Sequence, residues 1–454
     1  MSGFLAGSGV LTLLLAGVGL VGGVLLLLVL RRLPRLALAL WLVALCAIPI
    51  WCGVSVAGYY LPPATLTALL VIAAVVPVPS FRLSPLDLLV MLMTAAGVAG
   101  AVLGGGAGVA VPTLIGFLTY SLGGYVLGRL IAHRIGMEAL QAAIAVTFTA
   151  VAALAIAEFV LTWNPFVLLP GSGSLRATWS PLQIRGGIVR AEGAFGHSIA
   201  LGCSLAIAIP LTLASRFPLP ARLVMTALLL VGTVLTFSRV GMLTAVLGLV
   251  LAIVFLRDAI SLRVRVAVTV AVVAIVAAVA PFVQTVFDDA GTEATNSSAY
   301  RGDLYSLIPG MRILGTASSA HRGSDGRVFY GGFRSIDSQL VLTGLTFGLL
   351  VAAAVLVALA VGIWLVLRGR ATAATIALVA QIPALASVAL ITQYATFLWF
   401  LAGLAATSQI LRRQAASPPE PRLDPVGVAA DSEDRPAPAR ITALPPLPER
   451  TPSR

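Results

Sequence analysis

Residues 192–214 read EGAFGHSIALGCSLAIAIPLTLA. Arg190, Glu192 and His197 gather with Gly193 and Gly196 at the mouth of an apolar run that lasts to about residue 215. A helix needs about 20 apolar residues to cross ~30 Å of hydrocarbon, and this run has that length. Comparable runs lie near 10–30, 36–57, 64–79, 86–105, 108–128, 138–161, 221–237, 240–256, 266–286, 338–367, 371–391 and 393–411. The expected fold is all-α, a polytopic transmembrane helical bundle of about 12–13 helices. With 59% hydrophobic residues, 10% charged residues and a mean hydropathy of +1.03, the chain cannot be wrapped around one water-soluble core.

Charge orders these runs. All 29 basic residues are arginine, and alanine and valine abound, in accord with a GC-rich bacterial genome. A formal charge of +12 would point to nucleic acid in a soluble protein. Here much of it stands in short loops, where orientation by positive charge explains it, so no nucleic-acid partner is expected. Arg31, Arg32 and Arg35 follow the first run instead of preceding it, unlike a cleavable signal, and place the N-terminus outside. Arg82, Arg129, Arg134, Arg216, Arg222, Arg257, Arg263, Arg265, Arg368, Arg370, Arg412 and Arg413 then all fall on the cytoplasmic side.

The division that follows is 1–161 for N-terminal membrane helices, 162–195 for a first extracytoplasmic loop, 196–286 for further membrane helices, 287–337 for a large extracytoplasmic loop, and 338–411 for C-terminal membrane helices. Residues 412–454, rich in Pro, Ala, Arg and Glu, form a cytoplasmic tail expected to be disordered. The expected location is the cytoplasmic (inner) membrane of a bacterium, in contact with membrane lipid on many faces. Cys46, Cys52 and Cys203 lie in apolar runs without metal-ligand spacing and read as small buried hydrophobes. The glycines at 104–108 lack the strand and the Gly-Lys-Ser/Thr of a phosphate loop. Asp288 and Asp289 have no third ligand, so neither metal nor cofactor is expected.

Nine arginines fall outside against the topological bias: Arg176, Arg185, Arg190, Arg239, Arg301, Arg312, Arg322, Arg327 and Arg334. Arg239 sits in the tight turn TFSRVG between two apolar runs, Arg190 precedes the 196–215 run, and Arg301 opens YRGDLYSLIPG. Guanidinium forks stay charged and bind phosphate oxygens bidentately, so three of them from separate segments suit a diphosphate. The competing reading pairs Arg190 with Glu192, Arg301 with Asp303, and Arg334 with Asp337. His197, at a helix start, is either a base or a polar cap, and His321 reads as solvated surface. Asp337, in RSIDSQLVLTGLTFGLL, is either a general base or part of a helix N-cap. Glu158 is a second candidate carboxylate, with snorkelling to the interface as the alternative.

Four segments resemble those of the O-antigen ligase/polymerase family of integral membrane proteins. EGAFGHSIALGCSLAIAIPLTLA (192–214) is similar to the family's G-x-F-G-[HN] helix start, and TFSRVGMLTAVLGLVLAIVF (236–255) to its S-R-[GA] helix. YRGDLYSLIPGMRILG (300–315) and SIDSQLVLTGLTFGLL (335–350) resemble its arginine-led outer helix and return helix. The resemblance covers about residues 190–370. It implies a polyprenyl-diphosphate-linked oligosaccharide as substrate, metal-independent glycosyl transfer outside the cytoplasmic membrane, Arg190, Arg239 and Arg301 on the diphosphate, and His197 at the family's Gly-His/Asn position. Asp337, His197 and, from its place at a helix end alone, Glu158 are the catalytic candidates. Glu192, Asp303, Arg334 and His321 are secondary candidates. Ligases of the family usually carry histidine where Asp337 stands, which favours a repeat-unit polymerase of an exopolysaccharide, capsule or O-antigen-like polymer. A ligase passing glycan to a lipid or protein is the alternative, and a flippase of lipid-linked sugars is the rival from another class. A chain-length regulator or other polysaccharide assembly protein would be the natural protein partner.

Overall fold

The computed structural model describes residues 21–256 apart from 57–58, 79–80, 104–110 and 112–113, scattered positions between 261 and 281, and 300–416 apart from 301, 324–327 and 334. Most of the predicted 266–286 helix, the 104–108 glycines, Asp288, Asp289, Arg301, Arg327, Arg334 and the tail from 417 lie outside the described residues. The protein is mostly helical, 75% helix and 5% strand. Among the described residues the continuous helices are α1 (residues 21–32), α2 (Pro34–Ala47), α3 (Pro63–Val75), α4 (Pro85–Leu103), α5 (Leu114–Ile135), α6 (Met137–Leu161), α7 (Gly173–Trp179), α8 (Ser198–Leu213), α9 (Leu219–Leu235), α10 (Arg239–Phe255), α11 (Gln339–Phe347), α12 (Leu349–Leu367), α13 (Ala373–Val379), α14 (Ile382–Ser387) and α15 (Thr392–Ala416). Four stretches among the described residues, Leu114–Ile135, Met137–Leu161, Leu349–Leu367 and Thr392–Ala415, are long and apolar enough to cross a membrane.

The expected helical character holds, with a small strand content besides. Among the described residues, three short antiparallel strand pairs lie in the connections: β1 (Val54–Val56) with β2 (Tyr59–Leu61), β3 (Ile184–Arg185) with β4 (Ile188–Val189), and β5 (Ala320–Arg322) with β6 (Val328–Tyr330). The first ends the predicted 36–57 span early, because Pro49 restricts Ile48 to an extended backbone and stops α2 at Ala47. The predicted 338–367 and 371–391 spans are each two helices. Between α11 and α12, Gly348 adopts φ +98°, and a side chain there would overlap the backbone of Ile313 and Leu314. Strand-like bonds from 312–317 fill the gap: Leu349 N–H to the Arg312 carbonyl at 2.9 Å and Ala317 N–H to the Leu345 carbonyl at 2.7 Å.

Helix α8 is the axis of the fold. It is apolar all round, and every residue but Ile199 is buried, which only a helix surrounded by other helices can achieve. Its neighbours are α6, α9, α10 and α13. A second close crossing joins α5 to α15. A methyl on Gly124 or Gly128 would overlap the Thr396 or Phe400 carbonyl, and one on Gly403 would overlap that of Tyr125. Glycines four apart let the two backbones touch where apolar bulk would hold them apart.

Beside that crossing lies a buried ion pair. Arg129 on α5 is 2% exposed and donates to both oxygens of Asp87 on α4, Nε to Oδ1 at 2.7 Å and Nη2 to Oδ2 at 2.9 Å. Tyr125 donates to Asp87 at 2.6 Å, Ser84 N–H at 2.7 Å, and Arg129 Nη1 reaches Thr407 on α15 at 2.7 Å. The Phe81 ring lies 4.8 Å from the guanidinium. Arg129, read from sequence as a loop cation setting orientation, is a core residue that ties three helices together.

Candidate functional site

The polar mouth of α8 is built by convergence of helix ends. Glu158, in the last turn of α6, is 7% exposed and faces inward, which overturns the snorkelling alternative. Its Oε1 accepts from Asn164 Nδ2 at 2.8 Å and from Glu192 N–H at 3.1 Å, and its Oε2 from Gly193 N–H at 2.8 Å. With three donors on one carboxylate, Glu158 fastens the 192–193 backbone and is poorly placed to take a proton from a substrate. Glu158→Ala is expected to destabilise the protein by about 3 kcal/mol through two orphaned backbone N–H groups and the loss of one of the hydrogen bonds of Asn164, which keeps those to the Gly193 carbonyl and from Phe166 N–H. Loss of monodispersity and a lowered melting temperature in detergent would show it.

Arg190 is 6% exposed. Its Nε donates to the Thr236 carbonyl at 2.8 Å and its Nη2 to the Phe237 carbonyl at 3.4 Å, while Arg185 Nη1 donates to the Phe237 carbonyl at 3.1 Å. Two guanidinium groups therefore clamp the turn in which Phe237, fully buried, holds a left-handed φ of +46°. Arg239 follows this turn as the exposed first residue of α10, and Ser238 caps the helix by accepting from Gly241 N–H at 3.0 Å. Of the three arginines expected to converge, Arg190 and the Arg239 turn are in contact; Arg301 lies outside the described residues.

His197 caps α8: its Nδ1 accepts from Ile199 N–H at 3.1 Å, and its ring meets Trp179 edge to face with centroids 5.9 Å apart. Burial, and then the Arg190 charge, push its pKa down to about 4. The ring is thus neutral at pH 7 with its proton on Nε2, so it is a hydrogen-bond donor there and not a base.

Glu192 is 1% exposed and accepts from Gln183 N–H at 2.8 Å. Burial first and the nearby Glu158 second raise its pKa to about 7, against the lowering pull of Gln183 N–H and Arg190. A carboxyl with a raised pKa holds its proton in the folded state after the unfolded chain has lost it. Between pH 4.5 and about 7 the Glu192 contribution to stability therefore falls as pH rises, by at most about 1.4 kcal/mol per pH unit, while His197 contributes with the opposite sign below about pH 6.5. The melting temperature of Glu192→Gln relative to wild type should therefore rise from pH 5 to 7.5, and a difference that does not change with pH would contradict this.

The large-loop candidates sit on a separate small core of Leu304, Leu307, Tyr330, Ile336 and Leu345. Asp337 is half-buried and accepts from Ser335 Oγ at 2.7 Å. The N-cap of α11 is Ser338, whose Oγ accepts from Val341 N–H at 3.3 Å, so the capping reading of Asp337 passes to its neighbour. Asp303 and His321 are exposed, His321 stacking on Phe329 with centroids 5.9 Å apart.

What the sequence reading missed is the space between these groups. A cavity of about 300 Å³ is lined by Phe117, Tyr120, Trp179, Gln339, Thr392 and Trp399, among others. Trp179 joins it to His197, and Gln339 lies two residues beyond Asp337, so the cavity links the α8 mouth to the Asp337 segment. Gln339 is itself fixed, its Oε1 accepting from Leu390 N–H at 2.9 Å and its backbone N–H donating to the Val388 carbonyl at 3.0 Å.

No family model, curated protein or solved structure matches this chain. Among the described residues, no group of three His, Cys, Asp or Glu side chains is placed to hold a metal ion.

Proposed function

We propose that the chain is a multi-pass glycosyltransferase of a bacterial cytoplasmic membrane, working at its outer face as a polymerase of polyprenyl-diphosphate-linked oligosaccharide repeat units. The contact of Arg190 with the turn that carries Arg239, at the N-terminal end of α8 beside His197, is the observation that carries this reading. It puts guanidinium charge and two helix N-termini at one end of the bundle, the chemistry that receives a diphosphate.

In the proposed reaction an acceptor sugar hydroxyl attacks the anomeric carbon of the donor. The new C–O bond forms as the bond to the diphosphate oxygen breaks, the electron pair leaves with polyprenyl diphosphate, and the hydroxyl proton passes to the Asp337 carboxylate. Arg239 and the α10 N-terminus stabilise the charge that develops on the leaving group, with Arg190 holding the turn and adding its field. Neutral His197, protonated on Nε2, supplies a donor to a sugar or phosphate oxygen. A carboxylate at 337 in place of histidine supports polymerisation over ligation. The test is deletion of the chain in its host followed by sizing of surface glycan. Loss of long polymer with build-up of single lipid-linked repeat units is expected; unaltered polymer length would refute the reading.

A further inference from the structure

The aromatic walls of the 300 Å³ cavity come from Phe117, Tyr120, Trp179 and Trp399, and its polar groups from Ser121, Gln339, Thr346 and Thr392. All are uncharged; the described lining contains no Arg, Asp, Glu or His. Thr392 is 4% exposed with a left-handed φ of +46°, and its Oγ1 has no hydrogen-bond partner among the described residues. Gln339 Nε2 makes only a long bond of 3.4 Å to Thr343 Oγ1, leaving donor capacity beside it. An apolar slot of about 100 Å³ adjoins the cavity and shares Met93, Gln339, Leu390 and Trp399 with it.

Flat aromatic walls match a ring with an apolar face, and neutral donors and acceptors match a rim of hydroxyls. A phosphate or carboxylate would be desolvated there without a cation, and a bare hydrocarbon would leave the polar groups unmet. At about 300 Å³ the volume is at the lower end for ligand pockets, which suits one ring and not an extended oligosaccharide.

We propose that this cavity is a subsite for a single uncharged sugar ring, and that it makes the protein selective for glycans whose ring at that position carries no acidic group. The source of the ring, a sugar of the transferred glycan, rests on the glycosyl-transfer reading. Recognition of the ring follows from the cavity itself.

The test uses the full chain in nanodiscs with three submicellar probes, octyl β-glucoside, octyl β-glucuronide and octanol, read by saturation transfer to the probe protons. The glucoside is expected to bind at least tenfold tighter than either of the others. Trp179→Ala should weaken it at least tenfold, while Trp179→Phe, which keeps the stacking face, should stay within about threefold of wild type. Equal binding of glucuronide and glucoside, or glucoside binding unmoved by Trp179→Ala, would overturn the proposal. Donor turnover is scored separately. Turnover without glucoside binding overturns the subsite and leaves transfer standing, whereas Trp179-dependent glucoside binding without turnover supports the subsite and counts against transfer.

Discussion

Arg239→Ala protein is expected to insert and fold like wild type and to elongate lipid-linked glycan at least about 100-fold more slowly. Folding is spared because Arg239 is exposed and the turn before it is held by other groups, namely Ser238 as cap and Arg185 and Arg190 on the carbonyls of 236–237. Elongation suffers because a preorganised charge aimed at a developing oxyanion supplies several kcal/mol that water cannot replace, and loss of one such donor slows other enzymes by 10²–10³. Arg190 should behave differently. Arg190→Ala removes charge-assisted bonds worth about 1.5–3 kcal/mol each from two carbonyls, so activity and stability should fall together. Sizing lipid-linked products while following melting temperature separates the two behaviours. An Arg239→Ala protein that is stable and fully active would remove this residue from the site.

The second large effect is expected far from the mouth of α8. Arg129→Ala or Asp87→Ala should each destabilise the protein by about 3–5 kcal/mol, because either leaves a buried charge without its partner. Removing both charges, as in Arg129→Met with Asp87→Leu, should recover much of that loss, since the desolvation cost of the pair disappears with the pair. Apparent melting temperature and monodispersity in detergent report the outcome. If the double variant is as damaged as either single one, Thr407, Tyr125 and the Arg82 carbonyl, not the ion pair, dominate the junction.

Apolar runs were legible where they ended in ordinary helix signals. Met137–Leu161, Ser198–Leu213, Leu219–Leu235 and Arg239–Phe255 lie within a few residues of the runs at 138–161, 196–215, 221–237 and 240–256. Length and hydropathy cannot reveal a break that costs no hydrophobicity. Gly348 divides one run because another strand of backbone, 312–317, passes against it, and no local pattern announces that.

The site was legible in the residues that carry charge and illegible in how they are used. Arg190 and Glu158 stood out as polar groups at apolar borders, but only tertiary structure shows the one gripping carbonyls and the other receiving three donors. The cavity was missed because its walls are neutral. Trp179, Gln339 and Thr392 come from segments distant in the chain, and the nearest sequence signal was Gln339, a polar residue just inside an apolar run. Arg129 was misplaced because an arginine near a helix end reads the same whether it faces water or an aspartate 42 residues away.

Purified wild-type protein in nanodiscs, given its host's polyprenyl-diphosphate oligosaccharide as both donor and acceptor, should yield a ladder of lipid-linked glycans growing by whole repeat units, with one polyprenyl diphosphate released per step. A folded protein that consumes no donor, with or without an added lipid or protein acceptor, would show that it does not catalyse this transfer.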